Sequence, residues 1–201
     1  MRTFHQIVSV ILHPLLLPFY GILLLFSVGG FSELPVNYRL YIEGIILLNY
    51  GFVPGFGVWL LKKAGHVSDY DVSIRSERVF PYLITLISYI TGCFLLFRYQ
   101  MPWWIIKLFM GSILATFFAF FITFKWKISA HAMASGCVVS SIFLFCLNSA
   151  MTPLFFLSGI LLLAGLQGSS RLYLKAHTLE QVCGGFFIGA FSVCCTFFLI
   201  P

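Results

Sequence analysis

Apolar runs of about twenty residues, separated by short polar stretches, set the pattern of this chain. A bilayer core is about 30 Å thick, and about 20 apolar residues in a helix cross it. That rule predicts about seven spans, with six as the alternative, at roughly 7–28, 40–61, 80–98, 103–124, 131–148, 152–168 and 179–200. The sixth is the shortest. Pro14 and Pro18 should kink the first span and Pro54 should bend the second, because proline lacks an N–H and crowds the preceding turn. Very short connections after the third and fifth spans make those neighbours antiparallel hairpins. No stretch is long enough for a separate soluble domain and no internal repeat stands out. The whole chain, 1–201, reads as one integral membrane domain with an all-α, polytopic helical fold.

Composition agrees: 60% of the residues are hydrophobic and only 9% are charged, against about 25% charged in soluble domains. Arg2 followed by an apolar run resembles a signal peptide. The run is too long, holds His13, Pro14 and Pro18, and has no small-x-small cleavage site, so it reads as a retained first span. The six cysteines lie in or at the ends of apolar runs without a C-x-x-C pair and read as small core hydrophobes. Gly51 with Gly55, and Gly185 with Gly189, have the spacing of close helix contacts, more economically inside the bundle than between copies.

The formal net charge is +6. With no basic tail or domain to carry it, a nucleic-acid role is disfavoured; the basic residues fit membrane orientation and anionic headgroups. With seven spans, the N-terminus and the loops at 62–79, 125–130 and 169–178 share one face. Nine of the twelve Lys/Arg lie there, which favours a cytoplasmic position. Setting aside Arg75, Arg78, Arg171 and Lys175 as candidate anion binders leaves five against three, so the face leans cytoplasmic without being fixed.

Three polar clusters share that face: Arg75 to Pro81, Lys125 to His131, and Ser170 to Gln181. Each opens a span, so three helix N-termini with free N–H groups point at one surface, an arrangement suited to phosphate. Arginines add paired donors matched to phosphate oxygens. His177 precedes Gln181 by one helical turn, so the amide oxygen is placed to accept from one ring nitrogen and leave the other free.

The third cluster, Ser170-Arg171, five residues, His177, three residues, Gln181, resembles the third signature of the type 2 phosphatidic acid phosphatase superfamily, with Gln181 where that pattern has aspartate. The second signature resembles Ile128-Ser129-Ala130-His131, which keeps serine and histidine without the proline and glycine. The first is represented by Arg75, Arg78 and Pro81. Order and spacing agree, with 38 residues between His131 and Ser170. The resemblance implies an integral membrane phosphatase that needs no metal and no organic cofactor. It implies His177 as the nucleophile that forms a phosphohistidine and His131 as the acid for the leaving alkoxide. Gln181 would orient His177, and Arg75, Arg78, Ser129, Ser170 and Arg171 would hold the phosphoryl oxygens.

The substrate so implied is a lipid phosphate: phosphatidate, phosphatidylglycerophosphate, a polyprenyl diphosphate or a phosphorylated lipid A. The expected setting is a bacterial plasma (inner) membrane, with the bilayer and this lipid as the partners. Oligomeric state is open. The competing readings are a non-catalytic relative that binds lipid phosphate and a small membrane transporter. For His13 the simpler role is bonding a carbonyl freed by Pro14. A solvated loop explains His66, Asp69 and Asp71 better than a metal site does. Lys125 and Lys127 read as residues that snorkel to headgroups.

Overall fold

The computed structural model describes residues 1–28, 34–148 and 154–200. Within them nine α-helices follow one another: α1 (Arg2–Ile11), α2 (Leu17–Val28), α3 (Val36–Ile46), α4 (Val53–Lys63), α5 (Val79–Arg98), α6 (Trp103–Thr123), α7 (Ala130–Asn148), α8 (Leu154–Tyr173) and α9 (Leu179–Leu199). A π-helical segment, Leu47–Phe52, joins α3 to α4, and a 3-10 turn, Arg75–Arg78, leads into α5. Six stretches are long and apolar enough to cross a bilayer: Val36–Lys63, Arg75–Arg98, Trp103–Thr123, Ala130–Leu147, Phe155–Tyr173 and Leu179–Leu199. The chain is an all-helical membrane protein.

The first expected span does not form as one helix. The run at 7–28 divides into α1 and α2, and the 12 residues of α2 extend only about 18 Å. Proline is the cause. Helix α1 ends at Ile11, the chain turns through 12–16 where the His13 carbonyl accepts from the Leu16 and Leu17 N–H groups, and α2 starts with Pro18 in its first turn. The sixth expected span, 152–168, runs further than its hydropathy suggested, so Ser170 and Arg171 belong to the last turn of α8 and not to a loop.

Pro54 acts as expected, through a widened turn. It cannot donate in the i−4 ladder, and the backbone passes through π geometry just before it. The altered turn is buried and supported: Ser88 donates to the Asn49 carbonyl at 2.6 Å, and Tyr50 stacks on Tyr89 at 4.2 Å.

Helix α7 is the most enclosed span and α8 the least. The closest pair is α7 with α9, where glycines let the backbones meet. A Cβ at Gly185 would lie 2.6 Å from the Ser129 carbonyl oxygen, and one at Gly189 would overlap the Met133 carbonyl. The second glycine pair, Gly51 and Gly55, faces Leu15 of the turn between α1 and α2. Both pairs therefore serve internal packing.

Gly189→Ala should destabilise the bundle by about 1–3 kcal/mol through overpacking. Gly165→Ala, at a helical position with open space around it, should be neutral or stabilising by up to about 1 kcal/mol. Thermal unfolding of both variants in detergent checks the pair. Equal midpoints would mean that α7 and α9 are not in backbone contact.

Candidate functional site

The site lies where α1, the 64–78 connection, the 124–129 turn and the α8–α9 corner meet. The corner explains the spacing of the Ser170–Gln181 cluster. Two reverse hydrogen bonds close α8, from Ala176 N to the Arg171 carbonyl at 3.1 Å and from Lys175 N to the Leu172 carbonyl at 2.9 Å. Lys175 adopts the left-handed conformation that this cap requires, with φ of 54°. Three residues later Thr178 caps α9 in a reciprocal box with Gln181. One helix is thus closed and the next opened within a few residues. Arg171 and His177 face the same space from opposite sides of the turn.

The Gln181 amide oxygen accepts twice, from Thr178 N–H at 3.2 Å and from His177 Nδ1 at 3.0 Å. With its proton on Nδ1, the ring presents an unprotonated Nε2. Glu180 is exposed in the first turn of α9 and is not bonded to His177.

Arg78 is buried and braces the floor of the site. Its Nε donates to the Val72 carbonyl at 2.9 Å and its Nη1 to the Ile128 carbonyl at 2.7 Å. Arg171, also buried, donates from Nη1 to Ser9 Oγ at 2.6 Å and pairs with Asp71 Oδ2 at 3.3 Å. Its Nε is buried without an acceptor. His131 Nε2 lies 3.3 Å from the Ser9 carbonyl. In the Nε2–H tautomer the ring donates to this carbonyl; in the Nδ1–H tautomer Nε2 accepts from the Ser9 hydroxyl, 3.4 Å away. The Ser9 carbonyl is free for this because α1 ends within its next turn.

Helix α1 is amphipathic with its polar edge turned inward. Phe4, Ile7, Val10 and Ile11 are exposed, while His5 and Ser9 face α8 and α7. His5 stacks on Tyr173 at 4.2 Å and reaches Ser170 Oγ at 3.0 Å. Gln167 of α8 donates to the Leu12 carbonyl.

His13, Asp71, Arg78, His131, Arg171 and His177 line one cavity. Pro14, Leu15, Tyr82, Thr85 and Ala130 line both this cavity and a largely apolar cleft between α2, α5, α6 and α7. The polar chamber therefore adjoins a hydrocarbon-lined space inside the bundle.

Of the eight residues expected at the site, four line the cavity: Arg78, His131, Arg171 and His177. Gln181 supports His177 from behind. The other three are elsewhere. Arg75 is exposed and donates to the Phe124 carbonyl at 2.7 Å, because the 3-10 turn directs Arg75 and Arg78 apart. Ser129 is consumed as the cap of α7, accepting from Ala132 N at 3.3 Å. Ser170 donates to the Leu166 carbonyl and meets His5. Lys127 does more than snorkel: it donates to the Ala176 carbonyl at 3.0 Å and ties two loops together. Sequence reasoning missed Ser9 and Tyr82 and set His13 and Asp71 aside. The one available signal was the His5–Ser9–His13 spacing, a polar stripe along an otherwise apolar segment.

Cations outnumber anions here. Burial lowers the His177 pKa from 6.5 to about 4; the Gln181 hydrogen bond opposes this, and Arg78, Arg171 and Lys127 add to the lowering. Burial also lowers His13, with Asp71 opposing and Arg171 assisting. Lys127 is lowered by burial and by Arg78 and Arg171, against Asp69 and Asp71.

A folded-state value below the ordinary one means that the unfolded chain takes up the proton first. The contribution of neutral His177 to stability should be full above pH 6.5 and decline as pH falls from 6.5 toward 4. Histidine 15N NMR of the detergent-solubilised protein should show a His177 midpoint near 4. A midpoint between 6 and 7 would mean that the ring is open to water. Comparison with protein-family models, with curated proteins and with solved structures found no match.

Proposed function

We propose that the chain is a membrane-embedded lipid phosphate phosphatase working through a phosphohistidine. The observation that carries the reading is convergence: three chain segments far apart in sequence bring Arg78, His131, and Arg171 with His177 to one cavity at the bundle end. The tautomers suit the two roles. His177 has a free Nε2 lone pair, and His131 in its Nε2–H tautomer donates to the Ser9 carbonyl.

In the proposed reaction, the two arginines hold the phosphoryl oxygens and offset the charge that accumulates on them. His177 Nε2 attacks phosphorus as the P–O bond to the lipid breaks. The leaving oxygen takes the place of the Ser9 carbonyl against His131 and receives the Nε2 proton. His131 then accepts a proton from water, which cleaves the P–N bond and frees phosphate. Gln181 steers the nucleophile but adds no negative charge, so the imidazolium relies on orientation alone. The adjoining apolar cleft supports a substrate with a hydrocarbon chain. A second reading, binding of lipid phosphate without hydrolysis, draws on Gln181 and on Asp71 already occupying Arg171.

His177→Ala should abolish phosphate release from a panel of lipid phosphates in detergent, and His131→Ala should lower it by about 10²- to 10⁴-fold. Chelation should leave the rate unchanged. Normal turnover by folded His177→Ala protein would refute the nucleophile. A chelator-sensitive rate restored by a divalent ion would point to metal chemistry.

Gln181→Leu strands the His177 Nδ1 proton and should slow turnover about 5- to 150-fold. Gln181→Asp should exceed the leucine variant. An unaffected Gln181→Leu enzyme would show that Gln181 serves only to cap α9.

A further inference from the structure

The cavity has a wall that the three sequence clusters do not supply. It comes from the turn between α1 and α2, and its polar residue is His13. The His13 Nδ1 accepts from the Leu15 N–H at 3.3 Å. An accepting Nδ1 places the proton of a neutral ring on Nε2. The ring stands edge-on to His131, centroids 5.2 Å apart at 79°. It lines the same cavity as Arg78, Arg171 and His177. Among the described residues no hydrogen bond from Nε2 is found. Two other donors of this cavity likewise find no acceptor among the described residues: Arg171 Nε is buried without a partner, and the buried Tyr82 hydroxyl has beside it the Arg78 guanidinium, itself a donor.

Unpaired donors crowded into one buried space are costly unless an acceptor-rich ligand answers them. Asp71, the cavity's carboxylate, is spent on Arg171. A tetrahedral oxyanion supplies several acceptor oxygens and the missing charge together. The N-terminal segment is also fastened to the site, since Ser9 receives both Arg171 and His131. That anchoring keeps His13 at the cavity wall.

We propose that His13 is a ligand-binding residue of the site, donating from Nε2 to an oxygen of the bound phosphoryl group. The assignment rests on the phosphate-site reading and deepens it. The N-terminal segment becomes a fourth contributor to substrate recognition, and the turn at Pro14 becomes the device that delivers it.

Orthovanadate binding to the full detergent-solubilised chain, measured by calorimetry, tests this independently of turnover. Wild type should bind. His13→Ala should bind about 10- to 100-fold more weakly, the loss expected for one hydrogen bond to a charged group. His13→Gln, which keeps a side-chain N–H donor, should recover to within about threefold of wild type. His66→Ala, at an exposed position outside the cavity, should match wild type. Elution on size exclusion establishes that each variant is folded. Wild-type affinity in His13→Ala overturns the assignment and leaves the phosphatase reading untouched. Equal weakening in His13→Ala and His13→Gln also overturns it, because a role in shape alone would give that pattern. Wild-type protein that ignores millimolar vanadate sinks both readings. Binding with the expected graded losses but no lipid phosphate turnover upholds His13 as a ligand-binding residue and removes only the hydrolysis.

Discussion

Two guanidinium groups buried at the end of an apolar bundle set the terms for everything around them. A buried charge must be surrounded by acceptors or it will not stay buried. Arg78 takes the carbonyls of Val72 and Ile128, and Arg171 takes Ser9 and Asp71. Each arginine therefore joins segments far apart in sequence. The same donors that gather the chain are those an incoming phosphoryl group would use. Under the proposed function, stability and recognition would draw on one set of hydrogen bonds, and the unpaired Arg171 Nε marks where structural need ends.

Much of the fold was legible because lipid imposes a single rule, that backbone groups be satisfied within helices. Six of the seven spans follow from apolar length alone. The first failed because two prolines four residues apart do more than kink a helix when the turn between them finds polar partners. Gln167 at the Leu12 carbonyl and His131 at the Ser9 carbonyl supply them from distant helices. No local pattern announces such partners. The site was legible to the extent that its residues carry charge or titrate. Arg78, His131, Arg171 and His177 could be named from sequence. Ser129, Ser170 and Arg75 were misplaced because short polar side chains satisfy nearby backbone first, and a 3-10 turn separates arginines that a loop would have left together.

Gln181 illustrates how one residue answers to two demands. As the third residue of α9 it completes a capping box, which any glutamine or glutamate there can do. As the partner of His177 Nδ1 it fixes a tautomer. A carboxylate at the same position would accept from both donors and also place negative charge beside a buried imidazole. The amide forgoes that charge in a region where burial already holds His177 neutral. Neutral acceptor and neutral ring suit each other, and a glutamine at this position is electrostatically self-consistent.

The inward-facing polar edge of α1 also has a consequence for biosynthesis. Its partners, Ser170 and Arg171, lie 165 and 162 positions downstream. At about 5–20 residues per second, the first helix leaves the ribosome many seconds before the last two spans exist. Until then its exposed apolar edge can rest on the bilayer surface while His5, Ser9 and His13 stay hydrated. The chamber closes only when the end of α8 arrives, so the cavity cannot assemble until residue 171 has been made. A polypeptide halted before residue 171 would hold most of its spans in the membrane and still have no site.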